Sequence, residues 1–143
     1  MPWSETELAY LAGFIDGEGS ITIFHFQDKR VVGKPGSILR LSIYNTNADV
    51  MGWIALRFGG RVGKVKRRRV HGKQGYVWYQ SGRRAAVILQ ACLPYFRVKK
   101  QQAELFIDCA GTLKNWGKRK VSAEIYEFRK NAAQKVQALN RGA

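Results

Sequence analysis

Two carboxylates, Asp16 and Glu18, follow an apolar stretch near the start of the chain, and glycines lie beside both of them. Gly17 and Gly19 tolerate the backbone angles that the exit of a helix needs. The spacing therefore predicts that Glu18 is held between two glycines at the end of a buried helix. The two acids either solvate that helix end or take part in chemistry, and their spacing alone leaves both possibilities open.

Polar, basic and aromatic side chains alternate with other residues in two predicted strand pairs, residues 20–26 with 38–44 and residues 61–70 with 75–81. Basic side chains on a sheet can contact phosphates and guanine edges, and Tyr, Gln and Ser can read other bases. A basic run is more often a solvated surface, but this one is interleaved with aromatic residues. The residues that we expect to contact nucleic acid are Ser20, Thr22, Phe24, Arg40, Ser42, Tyr44, Lys64, Lys66, Arg68, Tyr76, Trp78 and Gln80, together with the basic connector Lys118, Arg119 and Lys120.

The helix that carries the two acids is predicted to begin at a capping box formed by Ser4 and Glu7. At about 100° per residue, its bulky side chains fall on one arc, which we expect to pack on the core of its own subunit. That arc consists of Leu8, Tyr10, Leu11, Phe14 and Ile15. Small residues on the other arc allow the backbone of a second helix to approach closely. We expect this contact to be made by Ala9, Ala12, Gly13 and Asp16.

The composition favours a nucleic acid partner. The formal net charge is +15, and such an excess suits nucleic acid or an anionic membrane surface. No stretch approaches 18 consecutive apolar residues, and the first residues lack the pattern of a signal peptide, so we expect neither a membrane span nor a leader. Two cysteines and two histidines match no zinc-binding spacing, and the cysteines are expected to be buried.

The order of predicted elements indicates a single α+β domain over residues 1–143. Asn45, Thr46 and Asn47 supply capping side chains for a second helix, which ends at Gly59 and Gly60. Further helices are predicted over residues 82–93 and 99–113 and from residue 122 onward. The resulting order is αββαββα with additional C-terminal helices.

Residues 11–19, Leu-Ala-Gly-Phe-Ile-Asp-Gly-Glu-Gly, resemble the signature of the LAGLIDADG homing endonucleases, with replacements at Phe14, Gly17 and Glu18. The resemblance implies an αββαββα fold with a saddle-shaped antiparallel DNA-binding sheet and with motif helices at the subunit interface. One motif in the chain implies the homodimeric type. The implied activity is metal-dependent cleavage of both strands of a long, nearly palindromic DNA site, leaving 3′ overhangs, as in intron homing.

The resemblance also implies roles for individual residues. Glu18, the last acid of the motif, would bind a divalent metal together with the Gly17 carbonyl. The implied ion is Mg²⁺, with Mn²⁺ tolerated and Ca²⁺ bound without cleavage. Asn47 would organise active-site water, unless it is only a helix N-cap. Lys99 would be the catalytic lysine, unless it is only a surface residue in a first helical turn.

Two other functions stay open at this stage. Some members of the family are RNA-binding maturases that assist intron splicing, and a charge of +15 suits RNA as well. A DNA-binding protein that kept the fold but lost cleavage is the third possibility. The intracellular compartment also stays open between a bacterial or archaeal cytoplasm and an organelle.

Overall fold

A computed structural model of the protein describes residues 3–26, 36–66, 72–113 and 122–142. The helices are α1 Glu5–Glu18, α2 Ala48–Phe58, α3 Gly82–Cys92, α4 Lys100–Ala110 and α5 Ala123–Asn140, with a 3₁₀ turn at Leu93–Tyr95. The strands are β1 Gly19–Phe26, β2 Gly36–Asn45, β3 Arg61–Val65 and β4 Gly75–Ser81. The predicted α+β fold, with the order αββαββα followed by C-terminal helices, is confirmed.

The four strands form one antiparallel sheet in the order β1, β2, β4, β3. Residues that pair across strands share a face, because side chains alternate along each strand. The face toward the helices carries Ile21, Ile23, Leu39, Leu41, Ile43 and Trp78, all of them buried. We call the opposite side the open face; its described residues are Ser20, Thr22, Phe24, Ile38, Arg40, Ser42, Tyr44, Arg61, Gly63, Val65, Gly75, Val77, Tyr79 and Ser81.

The core lies between the sheet and the helices. Leu11 and Ile15 of α1, Trp78 of β4 and Phe106 of α4 are completely buried. The Trp78 indole Nε1 donates to the carbonyl oxygen of Gly59 at 2.7 Å, at the end of α2. The burial of large side chains from these three elements packs helices α1 and α4 against the same face of the sheet.

Helix α5 closes the core at the outer strand. Its Tyr126 ring contacts the ring of His25 edge-on, with centroids 4.6 Å apart, and Asn140 Nδ2 donates to the carbonyl oxygen of Ile21 at 3.0 Å. The helix before it, α4, ends at Ala110 and not at residue 113 as predicted. The reason is local, because the Thr112 hydroxyl and the Thr112 N–H both donate to the Cys109 carbonyl.

Both cysteines are buried, as predicted. Burial raises the pKa of the Cys92 thiol to about 12 and that of Cys109 to about 11. Both thiols therefore stay protonated near neutral pH and behave as small hydrophobic groups. None of the helices in the described ranges combines the length and the apolar character of a membrane span.

Candidate active site

Helix α1 runs directly into the first strand, and Glu18 is its last residue. The predicted capping box is confirmed at the other end, where Ser4 Oγ accepts the Glu7 N–H and Glu7 Oε1 accepts the Ser4 N–H. The exit requires Gly19, because a Cβ there would lie 2.8 Å from the Cα of Ile15. This tight junction places the exposed Glu18 side chain where helix and sheet meet.

Asn45, the last residue of β2, holds the Glu18 carboxylate. Its Nδ2 donates to Glu18 Oε2 at 2.6 Å, and its Oδ1 accepts the Asn47 N–H at 2.7 Å. Asn47 in turn caps α2, since its own side-chain oxygen accepts the Val50 N–H at 3.0 Å. The side-chain amide that contacts Glu18 is therefore that of Asn45. Asn47 is the N-cap of α2, which was the alternative interpretation of this residue.

Sequence reasoning passed over Asn45, although one signal pointed to it. Asn45 follows Leu41 and Ile43 at the spacing of a strand, which places all three on the helix-facing side of β2. Because α1 packs against β2, a polar residue at the end of that row lies close to the end of α1.

Asp16 and Lys99 tie the end of α1 to the segment 97–99 that precedes α4. The Asp16 carboxylate accepts three backbone N–H groups, from Arg97 at 2.8 Å, Val98 at 3.3 Å and Lys99 at 2.9 Å. In the other direction, Lys99 Nζ donates to three carbonyl oxygens, those of Ile15, Asp16 and Gly19, at 2.8–3.0 Å. We call this double contact the Asp16–Lys99 clamp.

The clamp places a positive group at the negative end of the α1 dipole, where the helix has no basic residue of its own. An ammonium group has three N–H donors, and the carbonyls use all three. Burial lowers the pKa of Lys99, and the Asp16 carboxylate partly opposes that change. Lys99 thus lies within the fold beside Glu18, and Asp16, which we expected at a subunit contact, directs its carboxylate into its own subunit.

One side of α1 is uncovered in the described part of the structure. It consists of Ala9, Tyr10, Gly13 and Gly17. A Cβ at Gly13 or Gly17 would meet no atom within 4 Å, so another chain has room to approach there. Ala12 is completely buried, and its expected position on this side is wrong; Tyr10, expected inside, is 50% exposed. The buried side of α1 is centred on Leu11 and Ile15. The uncovered side is therefore rotated about the helix axis relative to the side that we predicted.

The open face of the sheet carries six of the ten predicted nucleic acid contacts that lie on the described strands. Ser20, Thr22, Phe24, Arg40, Ser42 and Tyr44 all lie there. Its described residues include two arginines, Arg40 and Arg61, and no acidic side chain. The open face is therefore suited to a polyanion.

The prediction for the second strand pair chose the wrong face. Trp78 pairs with Ile43 and is completely buried, so it has no access to a ligand on the open face. Tyr76 and Gln80 lie on the same helix-facing side of β4 as Trp78. Lys64 of β3 pairs with Tyr76 and lies on that side as well. The open face instead receives Tyr79, Val77 and Arg61, which sequence reasoning missed. Alternation along β4 does not distinguish its two faces, so no local signal identified Trp78 as the buried residue.

Four predicted contacts lie outside the described residues, namely Arg68, Lys118, Arg119 and Lys120. Lys66 is exposed and follows directly after the end of β3.

The residues around Glu18 fit a hard divalent cation. Carboxylate and carbonyl oxygens are the ligands that Mg²⁺ prefers, and this ion keeps several waters. Glu18 Oε2 is oriented by Asn45, and no described residue donates a hydrogen bond to Oε1. The described ranges contain no cluster of three or more His, Cys, Asp or Glu side chains. A metal at Glu18 would therefore take its remaining ligands from carbonyls, water and substrate.

Comparisons with known proteins match this architecture. The sequence matches the LAGLIDADG endonuclease family over residues 11–108. No curated protein sequence matches the chain. Among solved structures, the homing endonuclease I-CvuI, complexed with DNA in the presence of Mg or Ca, has a TM-score of 0.75 at 24% identity, over 94% of this chain and 82% of that chain.

Two further structures share the fold. The archaeal intron-encoded homing endonuclease I-Vdi141I, complexed with DNA, has a TM-score of 0.63 at 19% identity, over 95% of this chain and 98% of that chain. The homing endonuclease I-LtrWI, bound to target DNA, has a TM-score of 0.69 at 15% identity, over 94% of this chain and 45% of that chain.

Proposed function

Because this chain belongs to the LAGLIDADG endonuclease family, we propose that it is a site-specific endonuclease that cleaves both strands of duplex DNA with a divalent metal ion. The observation that carries the proposal is the position of Glu18. Its exposed carboxylate lies at the junction of α1 and β1, is oriented by Asn45, and adjoins an open face whose described residues include no acidic side chain.

In the proposed reaction, the residues around Glu18 have different roles. Phosphodiester hydrolysis needs transition-state stabilisation on the order of 20 kcal/mol, which basic side chains alone do not supply. A bound Mg²⁺ would lower the pKa of its water and polarise the phosphate. Glu18 would hold the ion with the Gly17 carbonyl, Asn45 would orient the carboxylate, and Lys99 would fix the backbone on both sides of Glu18. Asn45 takes the position that we first gave to Asn47.

Cleavage of both strands requires two sites, and each chain has one Glu18. Packed helices lie roughly 8–10 Å apart, and less where glycines face each other. A two-fold axis at the uncovered side of α1 would therefore bring two Glu18 carboxylates close together. Two phosphates across a minor groove about 6 Å wide would then be within reach. We propose a homodimer that cuts a long, nearly palindromic site and leaves 3′ overhangs.

The test starts from the DNA that flanks the gene, cloned into a plasmid as the candidate target. With Mg²⁺, the wild-type protein should linearise this plasmid. Glu18→Gln should abolish linearisation and keep binding, and Glu104→Gln, at an exposed position of α4, should change neither. If the wild-type protein binds the target but cleaves it with none of the divalent ions tested, it is a non-cleaving member of the family, and the proposal is contradicted.

A second pair of variants separates the two asparagines. Asn45→Asp places a negative charge against Glu18 and should reduce the single-turnover cleavage rate strongly. Asn47→Asp keeps a good N-cap side chain and should cleave at close to the wild-type rate. The opposite ranking would show that Asn47 supplies the catalytic amide.

A further inference from the structure

Arg40 is held in a defined orientation at the middle of the open face. Its guanidinium carbon lies 4.1 Å from the centroid of the Tyr79 ring on the neighbouring strand. A guanidinium stacked on an aromatic face is restrained by cation–π attraction. The planar group therefore has a fixed orientation before any ligand arrives.

The side-chain hydrogen-bond donors of Arg40 have no acceptor among the described residues. Its Nε is buried without a hydrogen-bond partner, and no described acidic residue lies on the open face to pair with it. Thr22, which pairs with Arg40 across the strands, directs its hydroxyl to the Arg40 carbonyl at 3.2 Å. The terminal nitrogens of the guanidinium are thus left for an acceptor outside the chain.

The next row of the open face has a different chemistry. Phe24 and Ile38 pair across β1 and β2 and are 49% and 46% exposed. They form an apolar patch two residues along the strand from Thr22 and Arg40, farther from Glu18. Two residues of a strand span about 6.6–6.8 Å, which corresponds to at most two base-pair steps of 3.4 Å.

We propose that Arg40, stacked on Tyr79, reads a guanine in the major groove, and that Phe24 and Ile38 contact a thymine methyl group at most two base pairs farther from the cleavage site. Arginine matches the O6 and N7 acceptors of guanine with two parallel hydrogen bonds, and the thymine methyl is the apolar feature of the same groove. This inference rests on the proposed function, and it names part of the target.

The experiment selects binding sites from a randomised duplex DNA library in the presence of EDTA, so that no cleavage occurs. The wild-type protein should enrich a G·C pair with a T·A pair close by, in each half of the recovered sites. Arg40→Gln should lose the guanine preference by roughly five- to 150-fold, with adenine as the best replacement. Arg40→Lys should lose the same preference but keep most of the overall affinity.

Three other variants sharpen the result. Tyr79→Leu should weaken the preference at the Arg40 position only, and Phe24→Ser should weaken the thymine preference only. Arg84→Gln removes an exposed positive charge from α3, and should leave both preferences unchanged. Circular dichroism of each variant verifies that it is folded.

Two outcomes would overturn the inference, and they are distinguishable. If Arg40→Gln weakens binding equally to all sequences, Arg40 contacts phosphate, and the proposed DNA binding stands. If the folded wild-type protein recovers no duplex at all, the proposed function fails as well.

Discussion

Glu18 takes its position from residues that are distant from it along the chain. Asn45 orients its carboxylate, and Lys99 holds the carbonyls of Asp16 and Gly19 on either side of it. Both residues lie outside α1, Asn45 at the end of β2 and Lys99 directly before α4. The site at the end of α1 is therefore only as well ordered as the segment 97–99 that is clamped against it.

Replacing Lys99 by Met should lower both stability and cleavage. Three carbonyl oxygens would lose a charged donor, which should reduce the free energy of unfolding by about 1–3 kcal/mol. The neighbouring Lys100→Met changes an exposed residue and should have little effect. Urea denaturation measures the stability, and single-turnover cleavage measures the activity.

The outcome also separates two roles for Lys99. If it positions the end of α1, Asp16→Asn should reduce cleavage in the same way, because it weakens the other half of the clamp. A full loss of cleavage in Lys99→Met with unchanged stability, and no effect of Asp16→Asn, would contradict positioning and support direct catalysis.

At the scale of elements, the N-terminus of α1 is joined to the C-terminus of α2. Glu7 forms a bidentate ion pair with Arg57, and Trp3 Nε1 donates to the Arg57 carbonyl at 3.0 Å. The Trp3 ring also packs on Phe58, with centroids 5.0 Å apart. Hydrogen bonds from Arg57, and secondly from Ser4, lower the pKa of Glu7 to about 2.

Glu7→Gln should lower the melting temperature at neutral pH. A carboxylate with a pKa lowered from 4.5 to about 2 stabilises the fold fully above pH 4.5, and this contribution is lost as the pH falls toward 2. The difference between wild type and Glu7→Gln should therefore shrink over that range. Thermal melts at several pH values measure it.

Glu5→Gln is the matched control, since Glu5 lies in the same first turn of α1 and is exposed. Its melting temperature should stay close to that of the wild type at every pH. Equal effects of the two substitutions would show that helix-dipole stabilisation, and not the contact with α2, is what Glu7 provides.

In the whole molecule, the uncovered side of α1 is the surface through which we propose that two subunits pack. Gly13 lies at its centre, and a Cβ there would meet no atom within 4 Å apart from the nearby backbone of its own helix. Gly13→Leu should therefore keep the subunit folded and convert the proposed dimer into a monomer. Sedimentation velocity measures the change.

Gly52 provides a close control for Gly13, because it is also an exposed helical glycine with open space at its Cβ. Leucine is a better helix former than glycine, so neither variant should melt below the wild type. A wild-type protein that stays monomeric on DNA while cleaving both strands would contradict the assembly.

The net charge of +15 predicts a strong salt dependence of DNA binding. If the proposed dimer neutralises roughly 6–10 phosphates, raising salt from about 50 to 200 mM should weaken binding by roughly 10³ to 10⁵. Fluorescence anisotropy with a labelled duplex measures this slope. An affinity that hardly changes with salt would show that the basic residues do not contact phosphates.

Features that depend only on neighbouring residues could be predicted from the sequence. The capping box at Ser4 and Glu7 and the alternation of β1 and β2 are local patterns, and each appears in the structure as predicted. Helix α1 also ends next to Gly19, but Gly17 lies within the helix and Gly19 has an extended backbone, so glycine is needed there for close packing and not for its backbone angles. The order of elements and the family signature follow from the same short-range information. These features depend on backbone conformation within a few residues, which local side chains decide.

The tertiary structure alone decided which face and which partner each residue has. Alternation along β4 is the same for either face, and only its pairing with β2 places Trp78 in the core and Tyr79 on the open face. The contacts of Lys99 join residues at least 80 positions apart, and Asn45 reaches Glu18 across 27 positions. Such contacts follow from how elements pack, and residue spacing indicates at most the face on which a residue lies, not its partner.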